Sequence, residues 1–428
     1  MWQKKLVDWN NQFLEPIYCQ KQFSTEAIIF LGGGRWQLNG ILAAKRLGLT
    51  IILIESSDSS PGAQYANYVL VRHNFDISAI LSYVTYLPVK IIGVVAIVTD
   101  QGQIPAAQLR MALNLPGPNP EQISLFIDKS KQRKQLDLKS LPNPKWQAFD
   151  NKTAAADYLK NEADFPVIIK PVDSAGTRGV SVLKTRLYND DLLTKAFQLS
   201  MIKHIIIEQY ISGIEYSVET FTYHGKTFIL AISQRYKLPE TNNTVAYEIS
   251  TPTCSSFEIQ QITSFVEKAL IALDYQNGPA HVEVMRSITG ELFIVDAGAR
   301  GGGFMVADGI VLVASGFDLP TATVLSSIGV DFQFKPPSID RAYVLRFISS
   351  QSGIIKSYFG FEEANQHPNV LATPLVDIGS RCSNASCDAD RVCYILTHGK
   401  SYKEATQYAD KAEKYLNFIY EPEPIAYE

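Results

Sequence analysis

GPAHVEVMRSITGELFIVDAGARGGG, residues Gly278–Gly303, is the stretch from which the fold is read. Two apolar runs, His281–Met285 and Glu291–Val295, flank a turn at Arg286–Gly290. Apolar and β-branched residues on either side of a glycine-containing turn predict a β-hairpin. Glu283 interrupts the first run and Asp296 follows the second, 13 positions later, so a hairpin brings the two acids together. A carboxylate inside an apolar strand is costly without a partner. Two close carboxylates repel unless a cation lies between them. Oxygen-only ligation suits Mg²⁺ shared with substrate phosphates. Arg300 then adds a planar cationic fork, and Gly301–Gly303 would allow backbone to approach a ligand. The competing reading is a surface hairpin with two solvated acids.

The chain has 428 residues, enough for roughly two to four domains with sizeable cores. Hydrophobic content of 46% and charged content of 19% fit a globular protein. A net charge of −4 and a pI near 5.9 argue against nucleic-acid or membrane-surface binding. No apolar run reaches bilayer-spanning length. The N-terminus lacks the apolar core of a signal peptide, so a cytoplasmic location is expected. Trp2, Leu6, Trp9 and Phe13 recur at helical spacing and predict an amphipathic extension over residues 1–25. The five cysteines have no CxxC pair, which argues against zinc and for reduced thiols.

From Ala27 the pattern is strand, Gly32-Gly33-Gly34, helix, then a strand ending at Glu55. This is a doubly wound α/β start. Its GGGRWQLNG does not follow the G-x-G-x-x-G dinucleotide spacing. LPGPNP closes that domain. Glu121–Leu136 reads as one helix, its charges most simply a solvated face. FPVIIKP is a strand ending at Lys170, and DSAGTRGV, Asp173–Val180, is a small-residue loop before the next strand. A strand–glycine loop–strand unit with a basic residue at its base suits a phosphate cover, although a plain mobile hairpin reads the same. Glu208 ends a further strand and Glu215 opens another. Asn242–Thr253 reads as a polar stretch, and Lys335-Pro336-Pro337 as a linker.

Five motifs stand in one order: Asp128-Lys129, IIKP with DSAGTRGV, EQYISGIEYSVE, HVEV and DAGARGGG. Together they resemble the ATP-grasp superfamily over roughly residues 26–428, and DAGARGGG resembles its amino-acid ligases. The resemblance implies α/β and α+β architecture: a pre-ATP-grasp open α/β domain (26–118), an ATP-grasp domain (119–335, lid 150–211) and a C-terminal α+β domain (336–428).

It also implies roles for particular residues. Lys129 and Lys170 match the phosphate-contacting lysines, and Ala175, Gly176, Thr177 and Gly179 the loop over the phosphates. Glu208, Gln209, Tyr210 and Ile211 match the adenine-reading segment, and Glu215 the ribose-binding acid. Glu283 and Asp296 match the Mg²⁺ ligands, with Mn²⁺ an alternative ion. Arg300, with Gly303 behind it, matches the arginine that steadies the transferred phosphate and an acyl-phosphate. Arg235, Lys237 and Glu248 lie in the segment that faces the centre in family members and are substrate candidates. Asp296 stands where Glu is usual, and Gly298 where many members have Asn. His281 reads as an acid–base group or, more simply, a core imidazole.

The implied reaction is ATP-dependent joining of a carboxylate to an amine, ADP-forming, on amino acids or similar small molecules. Family members are often dimers, which leaves a homodimer open. The rival readings are a biotin- or purine-type carboxylase or formyl-transfer enzyme, a nucleotide-binding module that has lost catalysis, and a small-molecule kinase.

Overall fold

The computed structural model describes residues 8–422 apart from 10, 11, 74, 188, 189 and 243. Trp2 and Leu6 lie outside the described residues. Trp9 and Phe13 are helical and buried, packed edge-on against His398, and Trp9 Nε1 donates to the Pro368 carbonyl at 3.0 Å. The N-terminal segment is thus held by the C-terminal region through its apolar face.

Four strands open the body: β1 (Glu26–Leu31), β2 (Thr50–Glu55), β3 (Tyr68–Val71) and β4 (Lys90–Val95). They form a parallel sheet in the order β3-β2-β1-β4. Their near-continuous apolar sequences suit strands covered on both faces. Glu55 at the end of β2 accepts from the Gly33 N–H at 2.5 Å. It braces the glycine loop, which accounts for glycines and an acid here without a dinucleotide fingerprint.

The expected helix over 121–136 is two helices, Pro120–Ile127 and Lys129–Leu138. Asp128 breaks them in an extended conformation, and its carboxylate caps the second by accepting from the Ser130 and Lys131 N–H groups. Aspartate competes well for that capping position, so local chemistry overrides helical periodicity. The second helix is not a solvated face. Its Arg133 is fully buried and Lys129 nearly so.

A small antiparallel sheet follows, β5 (Trp146–Phe149), β6 (Val167–Pro171), β7 (Ser181–Leu183) and β8 (Ile205–Gln209), in the order β5-β8-β6-β7. Helices Lys152–Asn161 and Asp191–Leu199 share one apolar cluster with it, around Leu159, Ile169, Leu193 and Ile207.

The largest sheet has eight antiparallel strands. It begins with β9 (Gly213–Tyr223), β10 (Lys226–Lys237), β11 (Ala246–Ser250), β12 (Gly278–Ser287) and β13 (Leu292–Gly298). β11 lies inside the stretch read as polar; its Ala246, Ile249 and Ser250 are buried between neighbouring strands. After the linker come β14 (Ala342–Ser349), β15 (Gly353–Phe359), β16 (Val370–Pro374), β17 (Arg381–Cys382), β18 (Arg391–Gly399) and β19 (Asn417–Glu421). The order is β13-β12-β9-β10-β11-β14-β18-β16, with β17-β15-β19 as a separate sheet. The strands after the linker therefore extend the same sheet through the β11–β14 pairing. No described helix is long and apolar enough to cross a membrane.

Candidate active site

β12 alternates as a half-covered strand should. Ala280, Val282 and Val284 are buried in the cluster with helix Ser256–Ala272, while His281, Glu283 and Met285 face a cavity. β13 pairs with β12 so that Glu283 lies directly opposite Asp296, with a register shift just beyond Glu283. The hairpin is formed, and it carries both acids to the cavity wall.

The cavity has a volume of about 770 Å³. The small sheet roofs it, the large sheet floors it, and residues from the loops that follow β1 and β4 and from the C-terminal region close its ends. Ile168, Val182, Ile211, Met285 and Phe293 make an apolar slot on one side. Lys129, Lys170, Ala175, Gly176, Thr177, Gln209, Tyr210, Glu215, Arg235, Lys237, Asp296, Arg300 and Gly303 also reach it.

Lys129 Nζ donates to the Ser174 carbonyl at 3.0 Å and pairs with Asp296 Oδ2 at 3.1 Å. Lys170 pairs with Glu208 Oε2 at 2.6 Å and Arg133 with Glu208 Oε1 at 2.7 Å. Burial pushes the Glu208 carboxyl up, but the two cations outweigh it and hold it down at about 2. Arg235 bridges Glu215 and Glu283, and Lys237 also pairs with Glu215. Burial raises the Glu283 carboxyl, but Arg235 and His281 together hold it well below the usual range. His281 lies between Glu219 and Glu283. Burial lowers this imidazole, and the Glu219 carboxylate more than reverses that, to about 9. Arg300 donates to both oxygens of Asp100 at 2.6 and 2.7 Å and to the Gly301 carbonyl at 3.0 Å. The guanidinium lies over Gly298, with Cζ 3.7 Å from where a Cβ would stand.

Several expectations need correction. Glu248 does not face the cavity. It is buried on the other side of the sheet, where Arg346 donates to it from Nη2 and Nε at 2.8 and 3.0 Å and Tyr402 from its hydroxyl at 3.2 Å. Strand alternation explains this: Arg235 on β10 lies opposite Ile249 on β11, both on the cavity side, so Glu248, one residue earlier, faces the other way with its cross-strand neighbour Arg346. Glu248→Gln should cost at most about 3 kcal/mol of stability, because Arg346 keeps Asp410 and Glu413 as partners. A lowered urea midpoint with unchanged turnover would match this position.

The Glu208 carboxylate is spent on Arg133 and Lys170 and is not free to meet a ligand. Gly179 is buried away from the cavity; a Cβ there would stand 2.9 Å from Pro171 Cγ. Gly301 and Gly302 are small for packing reasons. A Cβ on Gly302 would meet Glu219 Oε1 and His281 Nδ1 at 2.9 Å. Only Gly303 of the three reaches the cavity. His281 is neither a free base nor a core imidazole but an ion-paired group on the cavity wall.

Sequence reasoning missed Asp100, Glu219, Arg133, Asp388 and Arg391. Glu219 was findable by the argument that singled out Glu283, since it is a charge within an apolar strand sequence. Asp100 follows a strand end with no local signal of its arginine partner 200 positions away.

Residues 163–308 match the family described as the ATP-grasp domain, and residues 346–421 match L-amino acid ligase C-terminal domain 2. The chain thus carries an ATP-grasp domain. An L-amino acid ligase from Bacillus licheniformis shares the fold, with a TM-score of 0.78 and 21% identity over 94% of this chain and 100% of that one. N5-carboxyaminoimidazole ribonucleotide synthetase from Thermotoga maritima gives 0.72 and 15% over 93% and 100%. In sequence, the chain is 25% identical to dapdiamide A synthase of Enterobacter agglomerans over 240 residues, 54% of this chain and 55% of that protein. It is 23% identical over 324 residues to an uncharacterized protein of Sinorhizobium fredii, 72% of this chain and 64% of that protein. The chain thus aligns with less than two thirds of the length of these curated relatives.

Proposed function

We propose that the protein is an ATP-dependent carboxylate–amine ligase, forming an amide bond through an acyl-phosphate on amino acids or similar small molecules. The observation that carries this is the placement of Glu283 and Asp296 opposite each other, facing one cavity with Lys129, Lys170 and Arg300. A Mg-nucleotide fits this donor set. The apolar slot suits a base, the lysines suit phosphates, and the acids offer oxygen ligands. Among the described residues no cluster of three His, Cys, Asp or Glu forms a closed metal site. Two carboxylates with the remaining positions left to phosphate and water suit Mg²⁺. Bound there, Mg²⁺ would neutralise phosphate charge; Mn²⁺ has the same oxygen preference.

In the proposed reaction a carboxylate oxygen attacks the γ-phosphorus and the bond to ADP breaks. The amine nitrogen then attacks the acyl carbon, and phosphate and a proton leave. Carboxylate and triphosphate repel, so cationic positioning is the main demand on the protein. Lys129 and Lys170 would hold phosphate oxygens, and both are already fixed by carboxylates and carbonyls. Arg300 would face the transferring group, its fork aimed by Asp100. Arg235 and Lys237 screen Glu215 and Glu283 until a cation or ribose takes their place. An acyl-phosphate is lost if water reaches it, so the Asp173–Val180 loop would act as the cover.

Arg178, on the exposed side of that loop, should be a trypsin site in the free protein. A non-hydrolysable ATP analogue with Mg²⁺ should slow cleavage there about tenfold, as ordering removes the open state. Unchanged cleavage would separate the loop from nucleotide. The activity is tested by ADP release from Mg-ATP with pooled amino acids, followed by mass spectrometry. The expected product is a dipeptide or related amide. ADP release without a condensed product would overturn the reading.

A further inference from the structure

We propose that Arg235 is a stand-in for the metal. It neutralises Glu283 and yields only to Mg²⁺ that arrives with nucleotide phosphate, so the hairpin does not take up free divalent ions. This rests on the reading of Glu283 and Asp296 as oxygen ligands for a Mg-nucleotide, and adds how that site is regulated. Each acid around the hairpin already has a cation. Arg235 Nη1 donates to Glu283 Oε1, and His281 Nε2 lies 3.5 Å from the same oxygen. Lys129 Nζ pairs with Asp296 Oδ2 at 3.1 Å. Glu219 has His281, Glu215 has Arg235 and Lys237, and Asp100 has Arg300.

A bare dication entering this cluster meets positive charge on the very carboxylates it needs, and it must also give up tightly held water. A triphosphate reverses that balance, because it brings more negative charge than the ion brings positive. Metal and nucleotide then enter as one, and the protein gains no dead-end complex with the ion alone.

Of Arg235 and Lys129, which pair with the two hairpin acids, Arg235 is the one with somewhere to go. Lys129 is tied to the Ser174 carbonyl at 3.0 Å as well as to Asp296. Arg235 Nε lies 3.1 Å from Glu215 Oε1, yet it is sealed in without a hydrogen bond among the described residues. A buried donor left unpaired is costly. When Nη1 lets go of Glu283, that donor has an acceptor beside it. The guanidinium stays in the cavity wall, its charge turned to the phosphate that came with the ion. The competing account is a permanent brace that fixes Glu283 as a ligand. The two accounts differ in sign: removing a brace weakens metal binding, and removing a stand-in tightens it.

The test reads Mn²⁺ held by the protein in equilibrium dialysis, with and without a non-hydrolysable ATP analogue. The wild type should bind Mn²⁺ alone about 100-fold more weakly than with the analogue, the upper scale of coupling between two ligands. Arg235→Met should tighten binding of Mn²⁺ alone by about tenfold, within the same range. Arg235→Lys, which keeps the charge, should not. Lys237→Met removes a neighbouring charge that pairs with Glu215 and should leave it unchanged. Unchanged or weakened binding of Mn²⁺ alone in Arg235→Met would overturn the proposal. An equal gain in Lys237→Met would also overturn it, since net charge and not Arg235 would then set the effect. Equal wild-type affinity for Mn²⁺ with and without the analogue would overturn it too, and that comparison stands even if the variants fold poorly. Glu283→Gln separates the underlying reading: if it still holds Mn²⁺ with the analogue as the wild type does, the hairpin is not the metal site and this proposal falls with that reading.

Discussion

Glu283→Gln should abolish ATP turnover, lowering kcat by at least about 10³-fold, the upper range for loss of one preorganised electrostatic group. The change keeps the shape of the side chain but removes the charge opposite Asp296. In the proposed ligase that carboxylate would be one of the oxygen ligands for Mg²⁺, which would neutralise phosphate charge. Asp296→Asn should behave in the same way. Asp296→Glu should be tolerated, since it keeps the charge and lengthens the reach. Measured steady-state ATP cleavage decides this. Full activity in both neutral variants would mean that the hairpin is not the metal site. Because Glu283 also pairs with Arg235, a thermal melt of each variant must accompany the kinetics.

Arg300→Lys should leave nucleotide Kd nearly unchanged and reduce kcat by about 10³-fold, the lower end for loss of an arginine that stabilises a transferring phosphoryl group. Lysine keeps the charge but cannot reproduce the two parallel hydrogen bonds to Asp100 while presenting donors to a ligand. The aim of the cation is lost even though its sign remains. Calorimetric binding of an ATP analogue and single-turnover kinetics separate the two quantities. If affinity and kcat fell together, Arg300 would be a ground-state ligand only.

The parts of this molecule legible in the sequence were those set by short-range pattern. The β12–β13 hairpin, the strands around IIKP and the parallel sheet at the start all follow from local apolar periodicity and glycine placement. The acids of the hairpin were legible because charge inside an apolar strand is rare without a purpose. What stayed hidden was partnership at long range. Arg133 reads as one of several charges on a helix, and only the packed fold reveals that it and Lys170 share Glu208. Glu248 looked like a site residue because it lies in the same segment as Arg235 and Lys237; a single residue of strand alternation, with Ile249 and not Glu248 opposite Arg235, sends it to Arg346 instead. Asp100 and Arg391 come from regions outside the central motifs and reach the cavity only through tertiary structure. Asp128 shows the reverse case, where a local cap cuts a helix that periodicity alone would run through.

The most direct test of the ligase account is hydroxylamine trapping. Purified protein with Mg-ATP, a carboxylate substrate and hydroxylamine should yield a hydroxamate in equal amount to the ADP formed, and none when Arg300→Lys or Glu283→Gln replaces the wild type. ATP cleavage stimulated by bicarbonate, with no hydroxamate from any carboxylate, would contradict the account and place the protein among carboxylating enzymes of the same fold.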